Sequence, residues 1–194
     1  MLNLTAYVLI GLLVLTVFFD LTQKRIPNFL TFPAILLGLT IFAVSGGWSS
    51  LLQGLSGLGV GIAIFFIPFA LGGMGAGDVK LMGAIGALKG VEFILYTAVF
   101  AAVSGSILAL AYLVISGQFF STMKKVFLMA AVFFFRALSI RFKATYFSYL
   151  FLQFSARLEN LQLQEKKKLY LPYGLAIAAG ALLVLSNVAP TFFP

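Results

Sequence analysis

The chain has 194 residues, of which 62% are hydrophobic and 9% charged, and its formal net charge is +8. Soluble domains carry about 25% charged residues, so a chain this apolar is expected in a lipid bilayer. The absence of cysteine and histidine excludes disulfides, thiolate metal sites and histidine-based catalytic triads, and with them most zinc chemistry. Acid–base chemistry must therefore come from carboxylates, lysine, tyrosine or a metal held by oxygen ligands.

Long apolar segments follow one another along the chain. A transmembrane helix needs about 20 mostly apolar residues, and the candidate spans are residues 2–19, 29–45, 51–71, 79–88, 93–116 and 171–188. A glycine-containing turn at residues 46–50 separates the second and third. The fourth is too short to cross unless the membrane is locally thin or neighbouring helices shelter it. The first lacks a basic flank and a small-residue cleavage site, which indicates a retained span. These features predict an all-α, polytopic transmembrane helix bundle in a single domain, residues 1–194.

The basic residues orient these spans. With six spans, all of the 13 lysines and arginines except Lys89 fall on one side, which the positive-inside rule makes cytoplasmic, so both termini lie outside. Residues 117–168 mix aromatic clusters with spaced cations. We expect amphipathic helices there, lying on the cytoplasmic face against anionic head groups, and a seventh span kinked around Arg136 is the alternative. The same mixture occurs in RNA-binding surfaces, but the apolar content favours lipid, so no nucleic acid partner is predicted.

Two of the five acidic residues stand at span ends on the same side. Asp20 closes the first span and Asp78 opens the fourth. Ionisable residues that border a span are costly and point to function. Two facing carboxylates can share a proton, so that one activates a water while the other protonates a carbonyl oxygen. The alternative is structural: each aspartate pairs with a neighbouring cation, Lys24 or Arg25 and Lys80 respectively, or caps a helix.

The six residues before Asp78 are rich in glycine: Gly72-Gly73-Met74-Gly75-Ala76-Gly77. Glycine removes bulk beside the carboxylate, permits positive φ and lets another backbone approach closely, as an extended peptide substrate would require. A phosphate-binding loop is the first alternative, but its pattern has lysine after the last glycine, where this chain has Asp78. Plain helix packing by glycine is the second.

The residues around both aspartates resemble a known family. Asp20 with Ile26-Pro27-Asn28, together with the run from Gly75 to Leu81 (Gly-Ala-Gly-Asp-Val-Lys-Leu), resembles the prepilin peptidase family of membrane aspartic peptidases. Pro172-Tyr173-Gly174 is similar to a Pro-(Phe/Tyr)-Gly triplet near the C-terminus of that family. The Gly-x-Gly-Asp element is shared with presenilin-type and signal-peptide-peptidase proteins, and the short chain and the Ile-Pro-Asn element argue against that alternative.

The resemblance implies an activity and a site. Such enzymes remove the leader of prepilins or pseudopilins at the cytoplasmic face of the bacterial inner membrane, for assembly of type IV pili or secretion systems. Carried over to this chain, Asp20 and Asp78 are the catalytic residues, Gly75, Gly77 and Lys80 belong to the loop beside them, and neither a metal nor another cofactor is expected. Bifunctional members methylate the new N-terminus and carry a cysteine-ligated zinc. This cysteine-free chain is similar to the short-form peptidases of tight-adherence pili, so no methyltransferase activity is expected.

Other functions remain open from the residues alone. A proton-coupled transporter is one, although transporters often contain internal repeats and none is visible here. A non-catalytic membrane assembly subunit with structural aspartates is the other. Lys80 lies roughly opposite Asp78 on a helix and is expected to be a snorkelling cytoplasmic anchor rather than a catalytic group. Asn28 is expected to cap the second span or to bind near the site.

Overall fold

The structure is a computed structural model, and it describes residues 4–117, 119–124, 126–127, 130 and 172–186. The described residues form helices and turns without a β-strand, which confirms the all-α class. The principal helices are α1 (Leu4–Gln23), α2 (Asn28–Ala70), α3 (Ala76–Lys89), α4 (Val91–Ile115) and α5 (Tyr173–Leu185). The chain divides into two compact units, Met1–Leu108 with Leu171–Pro194, and Ala109–Tyr170. The site described below lies in the first unit.

Helices α1, α2 and α4 are each long and apolar enough to cross a membrane. Large apolar side chains cover their outer surfaces, with exposed fractions of 59% for Phe18, 66% for Leu36 and 61% for Ile107. Such continuous apolar surface suits contact with lipid. The chain is therefore a membrane protein, while six spans and external termini stay a prediction. The predicted amphipathic segment 117–168 lies almost entirely outside the described residues. The part of it at residues 119–124 is described and is helical.

Helix α2 contains both the second and the third predicted span. Its 43 residues would measure roughly 65 Å if straight, about twice the thickness of the hydrocarbon layer. The helix is broken at Gly46 (φ −151°, ψ 19°) and Gly47 (φ 64°, ψ −144°), and a positive φ with this ψ is a conformation that glycine adopts readily. A Cβ on Gly54 would lie 2.9 Å from the ring of Phe42. The two arms, residues 28–45 and 48–70, therefore fold back on each other. The predicted turn is confirmed at Gly46 and Gly47, whereas residues 48–50, which were also predicted to belong to it, are helical.

Helix α3 is the central element of the fold. Most of its 14 residues are buried, among them Leu81, Met82 and Ile85 with no exposed surface. Both arms of α2 touch its backbone: a Cβ on Gly38 would lie 2.6 Å from the carbonyl oxygen of Ala87, and Gly57 and Gly86 meet backbone to backbone. Neighbouring helices thus shelter this short segment. Shelter by neighbours was one of the two conditions, with a locally thin membrane, under which the sequence allowed so short a span.

The remaining helices enclose α3 from other sides. Leu9 and Leu13 of α1 and Ile177 of α5 join α3 in one buried apolar cluster. Helix α5 also meets α4 closely, because a Cβ on Gly180 would lie 2.5 Å from the backbone nitrogen of Ala101. Small residues at each crossing allow this packing, which is the usual means of helix association in lipid.

The contact between Gly57 and Gly86 makes a testable prediction about stability. Gly86→Ala places a methyl group against the backbone of α2, which cannot rotate away, so we expect a loss of about 1–3 kcal/mol and a lower unfolding midpoint in detergent. Gly59→Ala is the matched control, because no atom lies within 4 Å of a Cβ built there, and it should be neutral or stabilising by up to about 1 kcal/mol, since alanine is favoured over glycine inside a helix. Equal midpoints for the two variants would contradict the packing described.

Candidate active site

Asp20 lies in the last turn of α1 and faces the inside of the bundle. It continues a buried stripe formed by Leu9, Leu13 and Thr16, whose spacing of three and four residues puts them on one helix face. Asp20 is only 3% exposed. Helix α1 ends at Gln23, and a short turn with Pro27 at φ −70° and ψ 144° leads into α2. A short turn thus follows Asp20, and burial keeps the carboxylate away from lipid.

The backbone of α5 holds the Asp20 carboxylate. The Gly174 N–H donates a buried hydrogen bond of 2.9 Å to Asp20 Oδ2 across 154 positions of sequence. N–H groups in the first turn of a helix lack partners within the helix, and this end favours a negative charge. A Cβ on Gly174 would lie 2.7 Å from the same oxygen, so the contact requires glycine. The sequence flagged Pro172-Tyr173-Gly174 by resemblance, but no pattern indicated its contact with Asp20.

Asp78 is held locally, by the start of its own helix. It lies three residues after the N-cap residue Gly75, whose N–H donates to Asp78 Oδ2 at 3.0 Å. This is the carboxylate half of a capping box, and Gly75 has no side chain to supply the other half. Helix capping, the structural alternative considered for Asp78, therefore does occur. Asp78 is nevertheless only 7% exposed, which is an uncommon position for a carboxylate.

Electrostatics links the two carboxylates. Asp78 precedes the apolar segment 79–88 and lies outside the three helices long enough to cross a membrane. The pKa of Asp78 is raised from 3.8 to about 6, chiefly by burial; the Gly75 hydrogen bond lowers the pKa, and the nearby negative charge of Asp20 contributes to the increase. The structure therefore brings Asp20 and Asp78 into one site, although they come from different helices.

The glycine loop packs against the turn that follows Asp20. A Cβ on Gly77 would lie 3.0 Å from Ile26 Cβ, so a larger residue would push the turn away. Within this loop Gly72 has a positive φ of 75°, whereas Gly75 is extended at φ −84°. Packing by glycine, one of the sequence alternatives, thus accounts for Gly77, while Gly75 positions the Asp78 carboxylate.

Lys80 contacts the start of α2. Its ammonium donates to Asn28 Oδ1 at 2.9 Å and lies 5.9 Å from the centroid of the Phe32 ring. The structural alternative considered from the sequence was an ion pair between Lys80 and Asp78. The hydrogen bond of Lys80 goes to Asn28 instead. Sequence reasoning expected Asn28 near the site or at a helix cap, but the two segments are 52 positions apart and the contact between them was not predicted.

No group of three or more acidic side chains within the described ranges could hold a metal ion. The described site offers two buried carboxylates, and the pKa of the Asp78 carboxyl is raised. The fold and site define a helical membrane protein with a buried aspartate pair between α1 and α3.

Comparison with known families identifies the class. The profile of the type IV leader peptidase family matches residues 7–110, just over half of the chain, so the chain belongs to this family. No curated protein and no solved structure matches it. The matched range contains both Asp20 and Asp78 and ends before α5. The protein is therefore a leader-peptidase-like protease of the membrane, and its family implies prepilin-like substrates.

The contact between Asp20 and Gly174 can be tested by cross-linking, because the chain has no cysteine of its own. A Cβ on Gly174 would lie 3.2 Å from Asp20 Cβ, near the range of about 3.5–4.5 Å for disulfides. We expect Asp20→Cys combined with Gly174→Cys to form an intramolecular disulfide with a membrane-permeant oxidant. The control pair is Asp20→Cys with Gly59→Cys, because a side chain at Gly59 meets no atom within 4 Å and therefore neither clashes nor contacts Asp20. Equal yields in both pairs would contradict the contact, and mass spectrometry measures them.

The raised pKa of Asp78 predicts a pH dependence of stability. Between about pH 4 and pH 6 the folded chain binds more protons at Asp78 than the unfolded chain does, so this group's contribution to stability falls as pH rises and is constant above that window. Asp78→Asn removes the contribution. We expect the variant to gain stability relative to wild type between pH 4 and pH 7, by up to about 3 kcal/mol. Parallel unfolding midpoints across this range would exclude the predicted protonation.

Proposed function

We propose that the protein is a membrane aspartic endopeptidase that removes the leader peptide of prepilins or pseudopilins, with Asp20 and Asp78 as its catalytic residues. The observation that supports this most strongly is the convergence of two buried aspartates from α1 and α3 within a chain of the type IV leader peptidase family. A protein that needed only helix caps would not have to bury both carboxylates, since capping works at exposed helix ends.

The two aspartates have different environments, and these suggest different roles. Asp20 accepts the Gly174 N–H at the start of α5, where a negative charge is favoured. The pKa of Asp78 is raised to about 6, chiefly by burial. This carboxyl therefore retains its proton at a higher pH than an ordinary aspartate does. We assign Asp20 as the general base and Asp78 as the general acid in the first step.

The reaction then follows the chemistry of a carboxylate pair. Asp20 takes a proton from a water molecule as the water oxygen bonds to the scissile carbonyl carbon, and Asp78 gives its proton to the carbonyl oxygen. The tetrahedral intermediate collapses when the proton held by Asp20 passes to the departing amide nitrogen and the C–N bond breaks. The new carboxylic acid returns one proton to the pair. This cycle uses water and the two carboxylates alone.

Access for an extended chain supports the same function. Gly72, Gly73 and Gly75 are exposed beside the buried Asp78, so no side chain blocks the approach of a substrate backbone to the loop. Gly77 and Lys80 act indirectly in this proposal. Gly77 lets the loop pack on Ile26, and Lys80 ties the start of α3 to Asn28.

Location and partners complete the proposal. The inner membrane of a bacterium, with the aspartate pair at the cytoplasmic face, suits an enzyme whose substrates carry a leader on that side. Anionic lipid head groups would attract the excess of basic residues there. Pilus or secretion-system assembly is the process that such cleavage would serve, and methyltransferase activity is not part of the proposal.

A membrane cleavage assay tests this function. Co-expression with a prepilin or pseudopilin from the same genome should yield a shortened product with wild type. Asp20→Asn and Asp78→Asn should each lower cleavage by at least 100-fold, at the low end of the usual ~10²–10⁴-fold contribution of acid–base groups. Glu92→Gln is the matched control, because it makes the same chemical change at an exposed residue of α4.

Retained folding distinguishes catalytic from structural aspartates. Each variant should be purified in detergent and give a single unfolding transition. If both aspartate variants fold and cleave as fast as wild type, the catalytic assignment is wrong. If they fail to fold while Glu92→Gln remains normal, a structural role is favoured instead.

A further inference from the structure

Two buried threonines differ from the other hydroxyl residues of the described helices. Thr16 of α1 and Thr97 of α4 have no exposed surface, and neither hydroxyl has a hydrogen-bond partner within the part of the chain that the structure describes. A buried hydroxyl without a partner costs free energy, because it has lost its bonds to bulk water without replacement. Each of these two groups therefore needs a physical explanation.

The helix backbone offers a hydroxyl a nearby partner, which Thr16 does not use. Thr22 and Thr40 donate to the carbonyl oxygen four residues earlier, at 2.6 and 2.7 Å, and Ser106 does so at 2.8 Å. This bond is the ordinary arrangement for threonine and serine inside a helix. Since Thr16 does not make it, its hydroxyl is available to a partner outside the helix backbone.

The position of Thr16 indicates which group that partner serves. Thr16 precedes Asp20 by one turn on the buried face of α1, where side chains four residues apart are neighbours. Helical side chains lean toward the N-terminal end of their helix, so the Asp20 carboxylate leans over the turn that contains Thr16. An ionised carboxylate has about four acceptor positions, of which the Gly174 N–H uses one. Asp20 can therefore accept hydrogen bonds from several directions, including the side of Thr16.

A single water molecule meets the requirements of this position. A peptide substrate cannot reach Thr16, which has no exposed surface, and the Thr16 hydroxyl does not donate to Asp20 directly. Buried waters make about three hydrogen bonds to polar groups that otherwise lack partners. On the α5 side, Ala178 follows Gly174 by one turn on the same face, so this face of α5 places no large side chain beside the carboxylate.

We propose that Thr16 is a positioning residue of the reaction, whose hydroxyl binds a buried water molecule that also donates to the Asp20 carboxylate. The inference rests on the proposed peptidase function. The water and the Gly174 N–H together orient the carboxylate from α1 and from α5. Because Thr16 lies one turn deeper in the bundle than Asp20, this water lies behind the carboxylate and differs from the one that attacks the substrate.

Kinetics of matched variants tests the role of the hydroxyl. Thr16→Val removes the hydroxyl at nearly constant volume. With the precursor of the cleavage assay, it should lower kcat about 10-fold or more, the loss expected for one hydrogen bond to a charged group. KM should stay within about 2-fold, because Thr16 does not touch the substrate. Thr16→Ser keeps the hydroxyl and should retain most of the wild-type kcat.

Thr97→Val is the matched control, because it makes the same change at the other buried hydroxyl without a described partner. Thr97 lies near the start of α4, which begins at Val91, beyond the end of α3 that is far from Asp78, so kcat should not change. An unchanged kcat in Thr16→Val, or an equal loss in both valine variants, would overturn the proposal. So would a loss in Thr16→Ser as large as that in Thr16→Val. Should Thr16→Val not fold, Thr16→Ala compared with Thr16→Ser gives the same test.

Stability in detergent tests the water bridge without cleavage. Thr16→Val should lower the unfolding midpoint, because the bridge to a charged acceptor is lost, whereas replacing a hydroxyl that truly lacks a partner would raise the midpoint. The decrease should be smaller in an Asp20→Asn background, since hydrogen bonds to a charged acceptor are about twice as strong as those to a neutral one. Thr97→Val should show no dependence on this background. A higher midpoint for Thr16→Val, or equal decreases in both backgrounds, contradicts the bridge.

The outcomes separate this inference from the proposed function. If wild type cleaves the precursor while Thr16→Val keeps its kcat and raises the midpoint, the bridge is wrong and the peptidase assignment stands. If wild type cleaves no precursor while the midpoint of Thr16→Val depends on Asp20 as expected, the peptidase assignment fails and the bridge between Thr16 and Asp20 stands without a catalytic role.

Discussion

Direct contact between the backbones of α3 and α2 is the constraint on which the rest of the structure depends. Lipid offers no hydrophobic gain for bringing two apolar helices together, so their association relies on close van der Waals packing between small residues. The meeting of Gly57 with Gly86, and of Gly38 with Ala87, provides that packing on both arms of α2. It encloses a helix too short to cross a bilayer and fixes the place of Asp78 at the start of that helix.

The aspartate pair combines a local and a remote means of support. Asp78 stands in the first turn of α3, where the free N–H groups of a helix favour a carboxylate, and Gly75 supplies a donor from three residues away. Asp20 stands in the last turn of α1, where the helix dipole disfavours negative charge. The N-terminus of α5 compensates through Gly174. The site is thus complete only when a helix from near the other end of the chain has packed.

Burial of the two carboxylates makes the site costly within an otherwise apolar bundle. The low exposure that raises the pKa of Asp78 also removes water from a group that would be better solvated outside. Proteins tolerate such a cost where chemistry requires it, and ionisable residues at the border of a membrane are usually functional for this reason. In this fold the packing around α3 offsets the cost, which links the stability of the core to the protonation of the site.

The sequence by itself determined the helical membrane class, a glycine-containing turn after residue 45, and the choice of Asp20 and Asp78 as candidates. Each of these follows from local properties: apolar runs, backbone preferences of glycine, and the rarity of acids in an apolar chain. Tertiary structure alone decided that Gly174 holds Asp20 and that Lys80 binds Asn28. These depend on distances between segments far apart in the chain, and hydrophobic periodicity carries no information about which helices meet or at what depth.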